Sequence, residues 1–322
     1  MFKKINQHYD VISLALALIL LLIALMQPSI EVERDIKSYM IFVDVTQSMN
    51  VQDMVLNGQS VSRIEYSKQI LKETIEALPC GSRVGLGIFY KFTATALYAP
   101  IETCANYDVL LSSISHLEWR MASLGSSNIR AGLQSIASLL VTNGEPAQVT
   151  FITDGNEAAP LNIFTKTSLV GWQSGRDWLL VGVGGNKPTP IPKLNARNEV
   201  IGYWSTYSVK LQPASNVDEN GGRDESVASQ PYEYYLSQLD EPYMKELAQD
   251  IGGQYLKMGK SQDLIQAMLN QVPALHAASK FELHWIFALG AMLIILSAYL
   301  SDALNKATKF TKRNNKHKSS IN

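Results

Sequence analysis

The chain has 322 residues, 46% hydrophobic and 18% charged, with a formal net charge of −1. That is enough apolar material for one sizeable core with apolar segments to spare. The near-neutral balance, with no basic stripe on any predicted helix of the central region, excludes a nucleic-acid-binding protein. His8, His116, His276, His284 and His317 are scattered and adjoin no other candidate ligands, so neither a zinc site nor a Ser-His-Asp arrangement is legible.

Val11–Met26 is apolar apart from Ser13, follows Lys3 and Lys4, and ends before Pro28. No small-x-small cleavage pattern precedes Pro28, so residues 1–28 read as an uncleaved transmembrane anchor, with a signal peptide as the alternative. Tyr39–Val43 is an unbroken apolar run, as expected of a central strand buried on both faces. Asn57-Gly58 marks a tight turn. Ser62 is placed to cap a helix over Arg63–Leu78, striped by Ile64, Ile70, Leu71, Ile75 and Leu78. Arg83–Tyr90 reads as a strand and Thr93–Glu102 as its antiparallel partner. Tyr107–Leu117 and Asn128–Val141 read as helices, and Gln148–Ile152 and Asp177–Gly185 as buried strands. Residues 186–230, rich in Pro, Gly and Asn, interrupt the pattern as an irregular insertion with one hairpin signal at Glu199–Trp204. It is either a partner-binding loop or a plain excursion. A helix over Tyr243–Ile251, a strand over Gly253–Met258 and a helix over Asp263–Leu275 complete residues 36–275. The alternation predicts an α/β fold, a doubly wound and mostly parallel sheet with one antiparallel edge strand.

Leu283–Leu300 is a second apolar segment, with Trp285 and Tyr299 near its ends, read as a C-terminal transmembrane helix. The tail over 301–322 holds Lys306, Lys309, Lys312, Arg313, Lys316 and Lys318. Lysines outside both apolar segments place both termini in the cytoplasm and the central domain in the periplasm of a bacterial inner membrane protein.

The chemistry gathers at strand ends. Asp44, Thr46 and Ser48 follow the first central strand at alternate positions, and Asp154 follows the strand Gln148–Ile152. Ser127 lies in the polar loop Gly125–Asn128 between them. Ligands of open α/β sheets bind outside the carboxyl ends of the strands. Oxygen donors without His or Cys suit a hard divalent cation, Mg²⁺ first, with Ca²⁺ or Mn²⁺ as alternatives. Taken alone, Asp44, Thr46 and Ser48 would equally suit side chains capping a turn. A haloacid-dehalogenase-like phosphatase also places an Asp at a strand end, but it needs an acid two residues on. Thr46 is a poor general acid there, and no lysine adjoins Asp154.

The order of these segments resembles the von Willebrand factor A (VWA) domain, whose metal-ion-dependent adhesion site (MIDAS) reads Asp-x-Ser-x-Ser, then Thr, then Asp. The resemblance covers about residues 36–275 and implies the metal ligands Asp44, Thr46, Ser48, Ser127 and Asp154. Thr46 replaces Ser and Ser127 replaces Thr, each keeping the hydroxyl. It also implies a non-enzymatic role, binding a client protein that supplies an acidic residue to the metal. Further phrases narrow the likeness: Thr46-Gln-Ser-Met-Asn-Val-Gln-Asp-Met54, Leu78-Pro-Cys-Gly-Ser-Arg-Val84, Pro100-Ile-Glu-Thr-Cys104, Glu118-Trp-Arg-Met-Ala122, Gly182-Val-Gly-Gly185 and Pro190-Ile-Pro-Lys193. They resemble the membrane-anchored VWA accessory proteins of methanol dehydrogenase gene clusters (the MxaL/MxaC type). That likeness implies a part in maturation, including calcium loading, of a periplasmic quinoprotein dehydrogenase. VWA proteins also partner MoxR-type ATPases, but those are cytoplasmic and a periplasmic domain would not meet one directly. Trp119-Arg120 reads either as part of a recognition surface or as a buried Trp beside a surface Arg.

The two cysteines give a further expectation. A turn at Lys91-Phe92-Thr93 pairs Tyr90 with Ala94, and the same register carried down the ladder sets Cys80 opposite Cys104. Facing Cα atoms in such a ladder lie about 4.5–5.5 Å apart, within disulfide range. The alternative is two free buried thiols.

Overall fold

The computed structural model describes residues 2–121, 127–143, 146–157, 168–169, 177–204, 235–273, 275–297 and 299. The chain forms two compact units, one of Asp35–His276 and one of Met1–Arg34 with Ala277–Asn322.

The larger unit is built on six strands: β1 (Ser38–Asp44), β2 (Arg83–Tyr90), β3 (Thr93–Glu102), β4 (Gln148–Thr153), β5 (Trp178–Gly182) and β6 (Gln254–Lys257). They lie in the order β6-β5-β4-β1-β2-β3. Every pair is parallel except β2–β3, so the antiparallel strand is an edge strand as expected. All seven residues of β1 are buried. Its pleat sends Tyr39, Ile41 and Val43 to one face of the sheet and Met40 and Phe42 to the other. The first face is covered by α1 (Arg63–Ala77), α2 (Tyr107–Ser115) and α5 (Ser261–Asn270), through Ile64, Leu71, Ile75, Leu110, Ile114, Leu264 and Met268. The second is covered by α3 (Ile129–Asn143) and α4 (Glu241–Ile251), through Ile129, Leu133, Ile136, Leu247 and Ile251. Gly132 lets α3 lie directly on the sheet. A Cβ there would stand 2.3 Å from the Phe89 ring, which itself packs edge-on against Phe151 at 5.2 Å.

This doubly wound arrangement fixes where chemistry occurs. Crossovers leave β1 in opposite directions, toward β2 on one side and β4 on the other, so β1 and β4 flank the topological switch point. Their register pairs Val43 with Ile152, which brings Asp44 beside Thr153 and Asp154 to the same rim.

Several boundaries differ from the sequence reading. Asn57 and Gly58, at φ 51° and 78°, turn a small hairpin, Met54–Leu56 with Gln59–Val61. The signal at Glu199–Trp204 is half of a wider hairpin in which Val200–Tyr203 pairs with Pro192–Leu194. The rest of the insertion, 205–230, lies outside the described residues, as do Gly125, Ser126 and the basic tail from Lys306 to Lys318. The last helix of the domain ends at Asn270, and Leu275–Glu282 is a strand paired with another unforeseen strand, Ser29–Ile36.

The β2–β3 register also needs correction. The turn has two residues, not three, so Tyr90 faces Thr93 and Phe89 faces Ala94. Irregularities on both sides of Leu86 then shift the pairing by two, until Arg83 faces Glu102. Beyond that rung Thr103 N donates to Ser82 O at 2.9 Å. Cys80 and Cys104 meet there in a disulfide, their Cα atoms 5.3 Å apart. The bulges, not one continuous register, bring the two turns together.

The smaller unit holds a helix over Phe2–Leu25, the strand pair, and a helix over 284–297. Among the described residues no helix is long and apolar enough to cross a membrane, so the two-span expectation is not supported. The apolar part of the first helix runs only from Val11 to Leu25. At 1.5 Å per residue that is about 22 Å, against roughly 30 Å of bilayer hydrocarbon.

Cys80 and Cys104 close a loop with a sequence separation of 24. Replacing both by Ser should lower urea-unfolding stability by about 3 kcal/mol, seen as an earlier midpoint with a steeper slope, because the uncrosslinked unfolded chain exposes more surface.

Candidate metal centre

Asp44 ends β1 with both carboxylate oxygens engaged. Oδ1 accepts from Thr46 N at 2.9 Å and Thr46 Oγ1 at 2.6 Å, and Oδ2 accepts from Thr153 Oγ1 at 2.7 Å. A short 3₁₀ turn, Gln47–Asn50, folds Ser48 back so that its Oγ lies 3.2 Å from Thr46 Oγ1. Asp44 and Thr46 are essentially inaccessible, and Ser48 is buried. Burial, then the neighbouring charge of Asp154, pushes the Asp44 carboxyl up to about 7, against the hydrogen bonds from Thr153 and Thr46.

Asp154 is held from three directions. Its Oδ1 accepts from Asn156 N at 3.0 Å, and its Oδ2 from Arg63 Nη1 at 2.7 Å and Ser237 Oγ at 3.0 Å. Arg63 is fully buried and also forks onto Asp53, with Nε–Oδ1 at 3.0 Å and Nη2–Oδ2 at 2.6 Å. Burial works against the guanidinium charge, but Asp53 and Asp154 outweigh it and the group stays cationic. Gly185 N donates to Asp53 Oδ2 at 2.8 Å. At Gly184, with φ 133°, a Cβ would stand 2.7 Å from Arg63 Nε. Sequence reasoning passed over Arg63 and Asp53. The available signal was spacing, because Arg63 shares a helix face with the buried Ser67, Ile70, Leu71 and Thr74.

Ser127 is buried, and its Oγ has no hydrogen-bond partner. A parallel bridge to Lys91, just past β2, and the Asn128 N–H donated to Lys91 O hold its loop at the same rim. Asn128 Oδ1 accepts from Ala131 N at 3.0 Å, in the first turn of α3. From the Asp154 loop, Glu157 Oε1 accepts from Ile129 N at 3.0 Å, Arg130 N at 3.3 Å and Tyr243 OH at 2.6 Å. Glu157 therefore clamps the Asp154 loop to the helix that carries Ser127, and burial raises its pKa.

All five residues singled out in the sequence are thus buried at one rim. Three share hydrogen bonds, Asp154 is tied to Arg63, and Ser127 presents an unmatched hydroxyl. Among the described residues no three His, Cys, Asp or Glu side chains gather as a metal cluster. The donors here are mainly hydroxyls with two carboxylates, a set suited to a hard cation. With Asp44 ionised, three carboxylates (Asp44, Asp53, Asp154) face one guanidinium and leave a surplus of two negative charges, which a divalent ion would balance.

A doubly wound sheet in this strand order is a VWA-like α/β fold, and residues 39–157 match the family model of the von Willebrand factor type A domain. The chain is 29% identical over 163 residues to a UPF0353 protein of Mycobacterium sp. (strain KMS), covering 48% of this chain and 46% of that one. It is 28% identical over 163 residues to a UPF0353 protein of Mycobacterium tuberculosis (strain ATCC 25177 / H37Ra), with the same coverage. The chain spans about half the length of the curated relatives it matches. Among solved structures it is similar to BatB from Bacteroides thetaiotaomicron, at 17% identity and a TM-score of 0.50, covering 73% of this chain and 98% of that one. An aerotolerance-related membrane protein from Bacteroides fragilis NCTC 9343 covers the same shares at 18% identity and a TM-score of 0.48. At such identities the likeness concerns the fold.

Removing Arg63 leaves two carboxylates in a dry site. Arg63→Ala should therefore cost about 3–5 kcal/mol in urea unfolding, against under about 1 kcal/mol for Lys68→Ala, whose partner Glu65 is largely exposed. In the metal-free protein the Asp44 pKa of about 7 lies above that of the unfolded chain, near 3.9. The folded state then binds the extra proton, so the Asp44 contribution is present below pH 4 and lost as pH rises toward 7. Urea unfolding in EDTA between pH 4 and 8 should show this fall in the wild type relative to Asp44→Asn, which lacks it.

Proposed function

We propose that this protein is a membrane-attached, non-enzymatic binding module. Its buried oxygen set holds a divalent cation, Mg²⁺ ahead of Ca²⁺ or Mn²⁺, and grips an acidic side chain of a partner protein. The observation that carries this reading is the unmatched Ser127 hydroxyl, buried at the rim where Asp44, Thr46, Ser48 and Asp154 converge under surplus negative charge. When bound, the ion supplies a positive centre for a carboxylate. Asp44, Thr46, Ser48, Ser127 and Asp154 would hold it, and they offer at most about five ligands where Mg²⁺ takes six. The remaining position goes to solvent or to the partner's carboxylate, which gains a charge-assisted bond. Thr46 and Thr153 orient Asp44, Arg63 anchors Asp154, and Glu157 keeps the Ser127 and Asp154 loops in step. Covalent chemistry is disfavoured, because the residue two positions after Asp44 is Thr46, whose hydroxyl is a poor general acid.

The disulfide supports an oxidising compartment for the domain, hence the periplasmic face of a bacterial inner membrane. The exposed Leu14, Leu18, Leu22 and Leu25 of the first helix support membrane attachment. The short phrases shared with accessory proteins of methanol dehydrogenase clusters support a quinoprotein dehydrogenase undergoing calcium loading as the client. A MoxR-type ATPase partner would require a cytoplasmic domain, which the disulfide argues against.

Titration of the detergent-solubilised protein with Mn²⁺, followed by electron paramagnetic resonance, should show one site that Asp44→Ala abolishes and Ser127→Ala weakens at least tenfold. Capture of the dehydrogenase from periplasmic extract should require Mg²⁺, vanish in EDTA and vanish with Asp44→Ala. Capture indifferent to both treatments would overturn the metal bridge.

A further inference from the structure

Beside this rim, among the described residues, the buried Trp204 indole nitrogen and the cleft-lining Asn50 amide make no hydrogen bond. Trp204 is 6% exposed, and its indole Nε1 is unpartnered. Asn50 is 5% exposed, and its side-chain amide takes part in none of the hydrogen bonds among the described residues. Asn50 closes the 3₁₀ turn that carries Ser48, two residues away. It borders a cleft of about 250 Å³ and, with Trp204, a recess of about 10 Å³. Asn50, Trp119 and Leu194 belong to both walls, so the two spaces adjoin. The Trp119 N–H is spent on Asn198 Oδ1 at 2.9 Å, which leaves its ring as a wall.

Size, charge and polarity narrow what the cleft takes. At 250 Å³ it falls below the roughly 300–1,000 Å³ of small-molecule sites, so it fits one side chain and not a cofactor. The two carboxylates in its wall are already matched from outside, Glu65 by Lys68 at 2.7 Å and Glu118 by Arg120 at 2.6 Å. That balance favours a neutral occupant over a cation. Asn50 offers one amide oxygen and one NH₂ to the cleft, whose complement is another amide. Ile64, Leu117 and Trp119 supply apolar surface for a methylene stem.

The geometry points to a glutamine side chain of the bound partner, seated in this cleft while a neighbouring acidic residue reaches the metal. The inference rests on the reading of this rim as a protein-binding face, and its test separates the two.

The full chain in detergent, with ¹⁵N-labelled tryptophan, would be titrated with N-acetyl-glutaminamide, N-acetyl-norleucinamide and N-acetyl-argininamide. The Trp119 and Trp204 indole signals should shift saturably with the glutamine compound and at least tenfold more weakly with the other two. Asn50→Leu should abolish that shift while leaving Mn²⁺ binding unchanged. Leu117→Trp, which enlarges another side chain lining the cleft, should block it as well, so misfolding of one variant does not decide the matter. Asp44→Ala should keep the probe response while losing the metal. Equal binding of the norleucine compound, tighter binding of the arginine compound, or an unaltered titration in both cleft variants would overturn the glutamine subsite. Loss of Mn²⁺ binding in the wild type with the probe response intact would instead overturn only the metal reading.

Discussion

A guanidinium with no access to water demands oriented acceptors, and Arg63 finds them in three separate segments. Asp53 follows the Ser48 turn, Asp154 follows β4, and Ser237 lies beyond the insertion, while Gly184 leaves β5 so close that a Cβ there would stand 2.7 Å from Arg63 Nε. The desolvation cost of burying such a charge is repaid only when its donors are matched by oriented acceptors. The rim is therefore locked as one piece by the chain's own side chains. It is electrostatically unfinished all the same, because one guanidinium faces three carboxylates.

The sheet explains why this cluster lies where it does. Parallel strands deliver their C-terminal residues to one edge, and the reversal of winding at β1 opens a crevice between the helices of the two faces. Asp44 and Asp154 come from adjacent strands in fixed register, so their separation is set by the ladder and not by flexible loops. The loops that complete the rim are tied to the same frame. Glu157 reaches from the Asp154 loop to the first N–H groups of α3, satisfying donors that a helix start leaves open.

The root of the insertion belongs to this rim as well. Trp204 packs with Val51 and Ile191, while Lys193 lies 4.3 Å over the Trp204 ring. Ser237, a few residues beyond the insertion, hydrogen-bonds Asp154 directly.

Sequence alone determined the strand runs, the helix stripes, the antiparallel edge and the carboxylates and hydroxyls at the strand ends, because each is written locally: an apolar run, a 3.6-residue period, a carboxylate followed by hydroxyls. The meeting of the cysteines was also foreseen, though from a register that the bulges around Leu86 replace. Gly85 and Gly87, on either side of Leu86, were the local signal of that irregularity, since a Cβ at either would stand 2.5 Å from Met40 or Phe42. Tertiary structure alone decided that Arg63 is buried, that Asp53 shares it, that Glu157 joins two loops, and that Asn50 and Trp204 face empty space. These are relations between residues tens to hundreds of positions apart, fixed by which segments the sheet brings to one edge. In sequence Arg63 is only a charged residue at a helix start, and only the folded chain surrounds it with carboxylates.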